Sequence, residues 1–385
     1  MSSRKRLFAD GVRRIIAFLL LAGSFLSVSA RTPDGFIGRV SDMLTRPNPR
    51  LDTNYIARPV YPWTISLRND LFRTGTTVDL DVDYTFSDGE NLHYRVLTGL
   101  YSPLAVKTSL YVSYGALKLG YGLVIGKKGA AKSNSFSFLR PAYGLNFQYY
   151  RIKGFPELTY FNQEGSAGDS YIPDYDATLR TISADTYYAF NNKRYIYNAT
   201  YTAYHLQKKS AGSFLLTGKY QYGDLRLPLD DASTLLSNEG VGRYRTHQFS
   251  LGFGYGFNWV PYHRDATDED PGTLRNFTAN ITFVPMVVVS NRMFYTKYTY
   301  LDSEVFQVNE GDTFRLWGGM GFDMIARCAL CYTFGRYSLG ATFNYNRFRM
   351  IGTDQYTTLE GETSTDTMTN RFYDWSTCLR FDYRF

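Results

Sequence analysis

The chain has 385 residues, with 42 Lys and Arg against 35 Asp and Glu, and 34 Tyr and 28 Phe lift its aromatic share to 17%. Five of the basic residues and one acidic residue lie in the first thirty positions, leaving 37 against 34, or +3, so the charge makes no case for nucleic acid. The longest apolar run after those thirty, Val284 to Val289, is far too short for a membrane-spanning helix.

Residues 1–30 read as a secretory signal peptide. Arg4, Lys5, Arg6, Arg13 and Arg14 form a basic start, and Ile15 to Ala30 is apolar. Val28 and Ala30 offer the small residues a signal peptidase reads, which predicts cleavage after Ala30. The run is short for an anchor, and no Cys near Ala30 favours lipid attachment. Residues 31–63 differ from all that follows. Phe36, Val40, Met43 and Leu44 sit at helical spacing, and Pro47, Pro49, Pro59 and Pro62 keep the next stretch extended. This predicts a periplasmic lead-in with a short amphipathic helix; a disordered linker is the alternative, and the segment is short for a lumen plug.

From Thr64 a two-residue period takes over and defines the last unit, 64–385. Val78, Leu80, Val82 and Tyr84 oppose Asp79, Asp81 and Asp83. Phe249, Leu251, Phe253, Tyr255, Phe257 and Trp259 oppose Gln248, Ser250, Gly252, Gly254, Gly256 and Asn258. Strand side chains alternate faces, so each such run has one greasy and one wet side. Candidate strands fall at 64–73, 76–86, 92–101, 106–115, 116–126, 142–152, 178–190, 195–206, 212–223, 243–259, 274–288, 313–327, 336–350 and 371–385. Most reach the roughly 9–11 residues that a tilted strand needs to cross a bilayer. The expected fold is an all-β antiparallel transmembrane barrel of twelve strands, with fourteen as the alternative, in an outer membrane.

The final strand states the pattern most fully. Tyr373, Trp375, Thr377, Leu379, Phe381, Tyr383 and Phe385 share one face; Asp374, Ser376, Cys378, Arg380, Asp382 and Arg384 share the other. Leu379, Phe381, Tyr383 and Phe385 are the expected assembly signal, read by the barrel-insertion machinery after escort by periplasmic chaperones. With the C-terminus in the periplasm, 351–370, 289–312 and 224–242 become outer loops, and short turns fall at Gly335–Arg336 and Lys208–Lys209. The tight turn Asn191–Asn192–Lys193 and the long segment 153–177 come out on the wrong sides of this count.

The segments DTNYIARPVYPW (52–63), YYAFNNKRYIYNATYTAYHLQKKSAGSFLLTG (187–218) and YTFGRYSLGATFNYNRFR (332–349) resemble a Bacteroidota outer-membrane family known only as a domain of unknown function. The resemblance implies a secreted envelope β-barrel and supplies no functional residues.

Each candidate site also has a plainer reading. Asp79, Asp81 and Asp83 are expected to face the lumen, with Lys219, Arg380, Asp382 and Arg384, as a cation stripe or an ordinary mixed-charge lining. Cys328 and Cys331 form a C-x-x-C, but residues three apart on a strand point to opposite faces, and a disulfide with Cys378 would leave one thiol over. The acidic loop DATDEDPG (265–272) lacks EF-hand spacing. His93, His205, His247 and His263 have no nucleophile motif beside them, and the strand G-x-G patterns lack a phosphate-loop setting. No catalytic, metal or cofactor residue is assigned. The expected function is a non-enzymatic pore, small-molecule transporter or envelope scaffold, with a membrane-embedded hydrolase of lipid or surface glycan as the alternative.

Overall fold

The computed structural model describes residues 51–57, 61–101, 104–125, 132–154, 156–161, 167–171, 177–202, 204–227, 241–267, 270–302, 307–319, 321–357 and 362–385. The expected signal peptide and the amphipathic helix lie outside them.

Alternating apolar and polar residues make almost every described segment a strand. The first are β1 (Ile56–Ala57), β2 (Trp63–Thr85), β3 (Asn91–Tyr101), β4 (Ala105–Tyr114), β5 (Leu117–Ile125), β6 (Lys132–Leu139) and β7 (Tyr143–Gly154). Then come β8 (Pro156–Phe161), β9 (Ala167–Tyr171), β10 (Ala177–Ala189), a one-turn helix α1 (Ala199–Thr202) and β11 (Leu206–Gln207). The rest are β12 (Ala211–Arg226), β13 (Val241–Arg264), β14 (Arg275–Asp302), β15 (Gln307–Gly318), β16 (Phe322–Phe334), β17 (Tyr337–Thr357) and β18 (Thr363–Arg384).

Among the described residues twelve strands pair in a ring: β2, β4, β5, β6, β7, β10, β12, β13, β14, β16, β17 and β18, which returns to β2. Every pairing is antiparallel. The closing seam runs without a register shift from Thr363 opposite Thr85 to Arg384 opposite Thr64. Trp63 and Phe385 then exchange backbone hydrogen bonds at 3.1 Å. Closure leaves no open sheet edge around the ring, the condition for a sheet in hydrocarbon.

At the end where Trp63 meets Phe385, tight turns join neighbours. Gly115 (φ 56°) and Gly335 (φ 53°) supply left-handed backbone there, which a side chain would resist. At the far end the strands run long: β13 has 24 residues, β14 has 28 and β2 has 23. Those lengths are about twice what a bilayer crossing needs. A side sheet, β3–β8–β9, branches from the far half of β2. β15 and β16 share one place, pairing with the far and near halves of β14.

The outward face carries the apolar belt. Leu67, Leu119, Phe147, Phe214, Phe253, Ile281, Leu339 and Leu379 stand exposed. Exposed Arg347, Arg349 and Arg371 stand past its far edge, beyond Trp375 and Tyr345 on the same faces, and exposed Arg73 stands directly opposite Trp375. Long basic side chains suit such a boundary.

Five elements differ from the sequence reading, the first being 92–101, which is β3 of the side sheet and not a wall strand. Residues 64–73 and 76–86 form one strand. β6, Ser-rich and short, was not among the candidates. The candidate at 313–327 straddles the break between β15 and β16. Residues 195–206 are no wall strand: Tyr195, Ile196, Asn198 and Thr200 are all buried, whereas a wall strand would expose every second side chain. The chain from 191 to 210, residue 203 apart, turns into the barrel, with 195–200 and 204–207 buried there. With that strand removed, this insert sits at the Trp63 end and β8 and β9 at the far end, which resolves both mismatches in the count.

Candidate functional site

Polar chemistry from the walls converges in the interior, which is filled in three layers. Nearest Trp63 lies the insert, 191–210, with residues 51–57 beside it. β1 pairs with β11. Gln207 ties the two segments, its Nε2 donating to the Arg194 carbonyl at 2.6 Å and to the Tyr55 carbonyl at 3.3 Å. The walls reach in from opposite sides. Arg68 of β2 donates to the Tyr201 carbonyl at 2.9 Å, and Asn258 of β13 to that of Ile196 at 2.8 Å. Tyr201 donates to Asn280 of β14 at 2.8 Å, and Arg327 of β16 to the Tyr197 hydroxyl at 2.6 Å.

Gly256 makes the room. A Cβ there would stand 2.2 Å from the Tyr195 hydroxyl. The G-x-G pattern of β13 is thus a seat for an aromatic ring, as Gly120 is for Tyr111.

The middle layer is charged. Lys107 faces Asp70 at 3.3 Å, Arg327 faces Asp185 at 3.6 Å, and Arg380 faces Asp382 at 2.7 Å. Lys219 lies 4.0 Å from the Phe348 ring centre and donates to Asn346 at 3.4 Å. Gln248 and Ser250 both donate to Asp323. A cavity of about 170 Å³ opens among these groups, lined by Arg68, Lys118, Tyr111, Arg380, Asp185 and Asp374 with others.

The far layer is apolar. Val78, Leu80 and Val82 of β2 meet Leu179, Leu225, Tyr244, Met293, Tyr295, Leu316, Met350 and Met368 in one buried cluster. These residues come from β2, β10, β12, β13, β14, β15, β17 and β18, so a hydrophobic core occupies this part of the barrel's interior.

This layer overturns one expectation. Because Val78, Leu80 and Val82 face inward, Asp79, Asp81 and Asp83 face outward. Asp79 takes a bidentate pair from Arg95 at 2.7 Å and lies 3.9 Å from Arg371. His93 sits 2.7 Å from Asp83 and 3.5 Å from Asp81. Those three could together offer a metal ion its ligands, but on an open outer face. The other named residues, Lys219, Arg380, Asp382 and Arg384, are buried in the interior, while Leu379 and Phe381 are exposed outside. Tyr383 and Phe385 stack at 5.8 Å beside the seam.

The remaining motifs resolve plainly. Cys328 is exposed, Cys331 and Cys378 are buried, and all three are free. In the loop after β13, Asp265 lies 2.8 Å from Lys208 and 3.0 Å from His263. Its burial would raise the carboxyl's pKa, but those two partners outweigh it and hold it below the usual range. Asp270 caps a single 3₁₀ turn through the Gly272 N–H at 2.7 Å. His247 meets the Tyr220 hydroxyl at 2.9 Å. Among the described residues no serine hydroxyl is hydrogen-bonded to any of the four histidines.

No signal in the sequence pointed to the insert. Its Tyr-Asn-Thr alternation copies a wall strand, and only the burial of both faces tells them apart.

A closed antiparallel sheet with an apolar outer belt and a charged, packed interior defines an outer-membrane β-barrel. Among the described residues no helix is long and apolar enough to cross a membrane. The chain belongs to the family described as Domain of unknown function (DUF4421), whose model matches residues 50–368. No curated protein matches it. Solved structures resemble it in fold. The outer membrane protease OmpT from Escherichia coli has 9% identity and a TM-score of 0.39, over 85% of this chain and 98% of that one. The beta domain of the Bordetella autotransporter Brka has 9% and 0.28, over 82% and 100%. The P. putida toluene transporter TodX has 8% and 0.20, over 82% and 90%.

Proposed function

We propose that this barrel is a non-enzymatic envelope scaffold, closed to solutes at rest, with the Trp63–Phe385 end in the periplasm. The observation that carries the reading is the filling of the lumen: hydrogen bonds from opposite walls hold the insert at one end, and a continuous apolar cluster blocks the other. A resting pore would need a water-filled path past both. The short turns at Gly115 and Gly335 support the orientation, since periplasmic turns are the short ones.

Planar-bilayer recording of the purified barrel tests it. The expected result is no stepwise conductance at moderate voltage. Stable open steps from the unmodified protein would return the reading to a pore or transporter, and lipid or glycan hydrolysis by it would return the reading to an enzyme.

A further inference from the structure

The middle layer is unevenly charged. Arg68 and Arg380 are directly opposed on β2 and β18, both facing inward. Lys118 of β5 lines the same cavity, is 4% exposed, and its Nζ has no hydrogen-bond partner. Its one described contact is the Tyr111 ring, 4.7 Å from the ammonium, and the Arg68 guanidinium lies 4.5 Å from the same ring. Asp382 is the carboxylate at this end, already 2.7 Å from Arg380. The cavity's other carboxylates are engaged elsewhere: Asp70 with Lys107, Asp185 with Arg327, and Asp374 with Thr74 and Asn346. A buried ammonium without a bonded counter-charge is costly. Cation–π contact offsets only part of that cost even when desolvated. Like charges opposed across a strand pair add to the cost.

We infer that the cavity beside Lys118, Arg68 and Arg380 is a binding site for a small oxyanion, with inorganic phosphate as the simplest member of the class. The ammonium and the Arg68 Nε, which is unpaired while another guanidinium nitrogen holds the Tyr201 carbonyl, supply donors to its oxygens. A cavity of about 170 Å³ has room for one such ion with a few waters. The ion is internal, taken up as the barrel closes, and its presence does not depend on whether the barrel conducts.

The test is refolding with radiolabelled inorganic phosphate, so that access through a closed barrel is not required, followed by exhaustive dialysis and counting. Heat-modifiable electrophoretic mobility confirms closure of each variant. The unmodified chain should retain about one phosphate per barrel, and Lys118→Met should lose at least tenfold. Lys219→Met, which removes a different buried lysine, should retain it. If Lys118→Met fails to close, Arg68→Lys serves instead: it keeps the charge, loses the Nε donor, and should weaken retention. A closed, unmodified barrel that retains no phosphate overturns the inference and makes Lys118 a neutral amine. Equal retention by Lys118→Met overturns it as well. Neither result bears on conductance, which tests the closed-scaffold reading separately.

Discussion

The Arg327 guanidinium donates to the Tyr197 hydroxyl at 2.6 Å while lying 3.6 Å from Asp185, so one side chain binds wall β16 both to the insert and to wall β10. Removing it leaves Asp185 buried without its cation. Arg327→Ala is expected to cost about 3–5 kcal/mol. Tyr197→Phe deletes one hydroxyl and should cost about 1 kcal/mol. Urea-unfolding midpoints of lipid-reconstituted protein decide it. Equal, small effects would mean that Arg327 is solvated in the lumen.

Gly256 gives a second test of the insert. A branched side chain there meets the Tyr195 hydroxyl and cannot be absorbed by the wall. Gly256→Val should expel or loosen the insert, seen as faster hydrogen exchange across 191–210 with the barrel still closed. Unchanged exchange would show that the insert does not sit against β13.

His205 lies in the insert, not in a spanning strand. Burial lowers its pKa to about 4, with Arg140 adding to the effect. The unfolded imidazole titrates at 6.5. Between those values the unfolded chain binds the extra proton, so stability falls as pH drops from 6.5 toward 4 and levels off below. The full loss is on the order of 3 kcal/mol. His205→Phe should flatten that part of the pH–stability curve and leave stability above pH 7 little changed by titration. An identical slope in the variant would place the ring in water.

The seam predicts an assembly phenotype. Phe385 exchanges backbone hydrogen bonds with Trp63 and its ring stacks on the Trp63 ring at 6.4 Å, while Phe381 stands exposed in the belt. A carboxylate at either position opposes closure or lipid contact. Phe381→Asp and Phe385→Asp should lower the outer-membrane yield severalfold and leave chain in the periplasm. Normal yield would remove this strand's role as a signal.

The barrel was legible because lipid outside and polar groups inside impose a period of two, and β13 and β18 display it over their full length. The ring has the expected twelve strands, but reaches that number through a different set: two candidates merge, two are not wall strands, and β6 joins. The error at Asp79, Asp81 and Asp83 has a definite cause. The rule that the greasy face meets lipid fails above the belt, where the interior is itself a hydrophobic core, so β2 keeps its alternation while the meaning of its faces inverts. The insert was hidden because an alternating polar-aromatic stretch looks the same in a wall and within a lumen. Lys118 could be placed on an inner face by parity, but its isolation depends on which residues stand across the cavity.

Spin labels placed singly along β18 test the account most directly, through collision rates with oxygen, which concentrates in hydrocarbon, and with a water-soluble nickel chelate. Labels at Thr377, Leu379 and Phe381 should collide with oxygen, and labels at Ser376 and Cys378 with neither reagent, giving a two-residue alternation against a packed interior. Nickel collisions at Ser376 and Cys378 as frequent as in an exposed loop would contradict a filled lumen, and nickel collisions on both faces would contradict the membrane barrel itself.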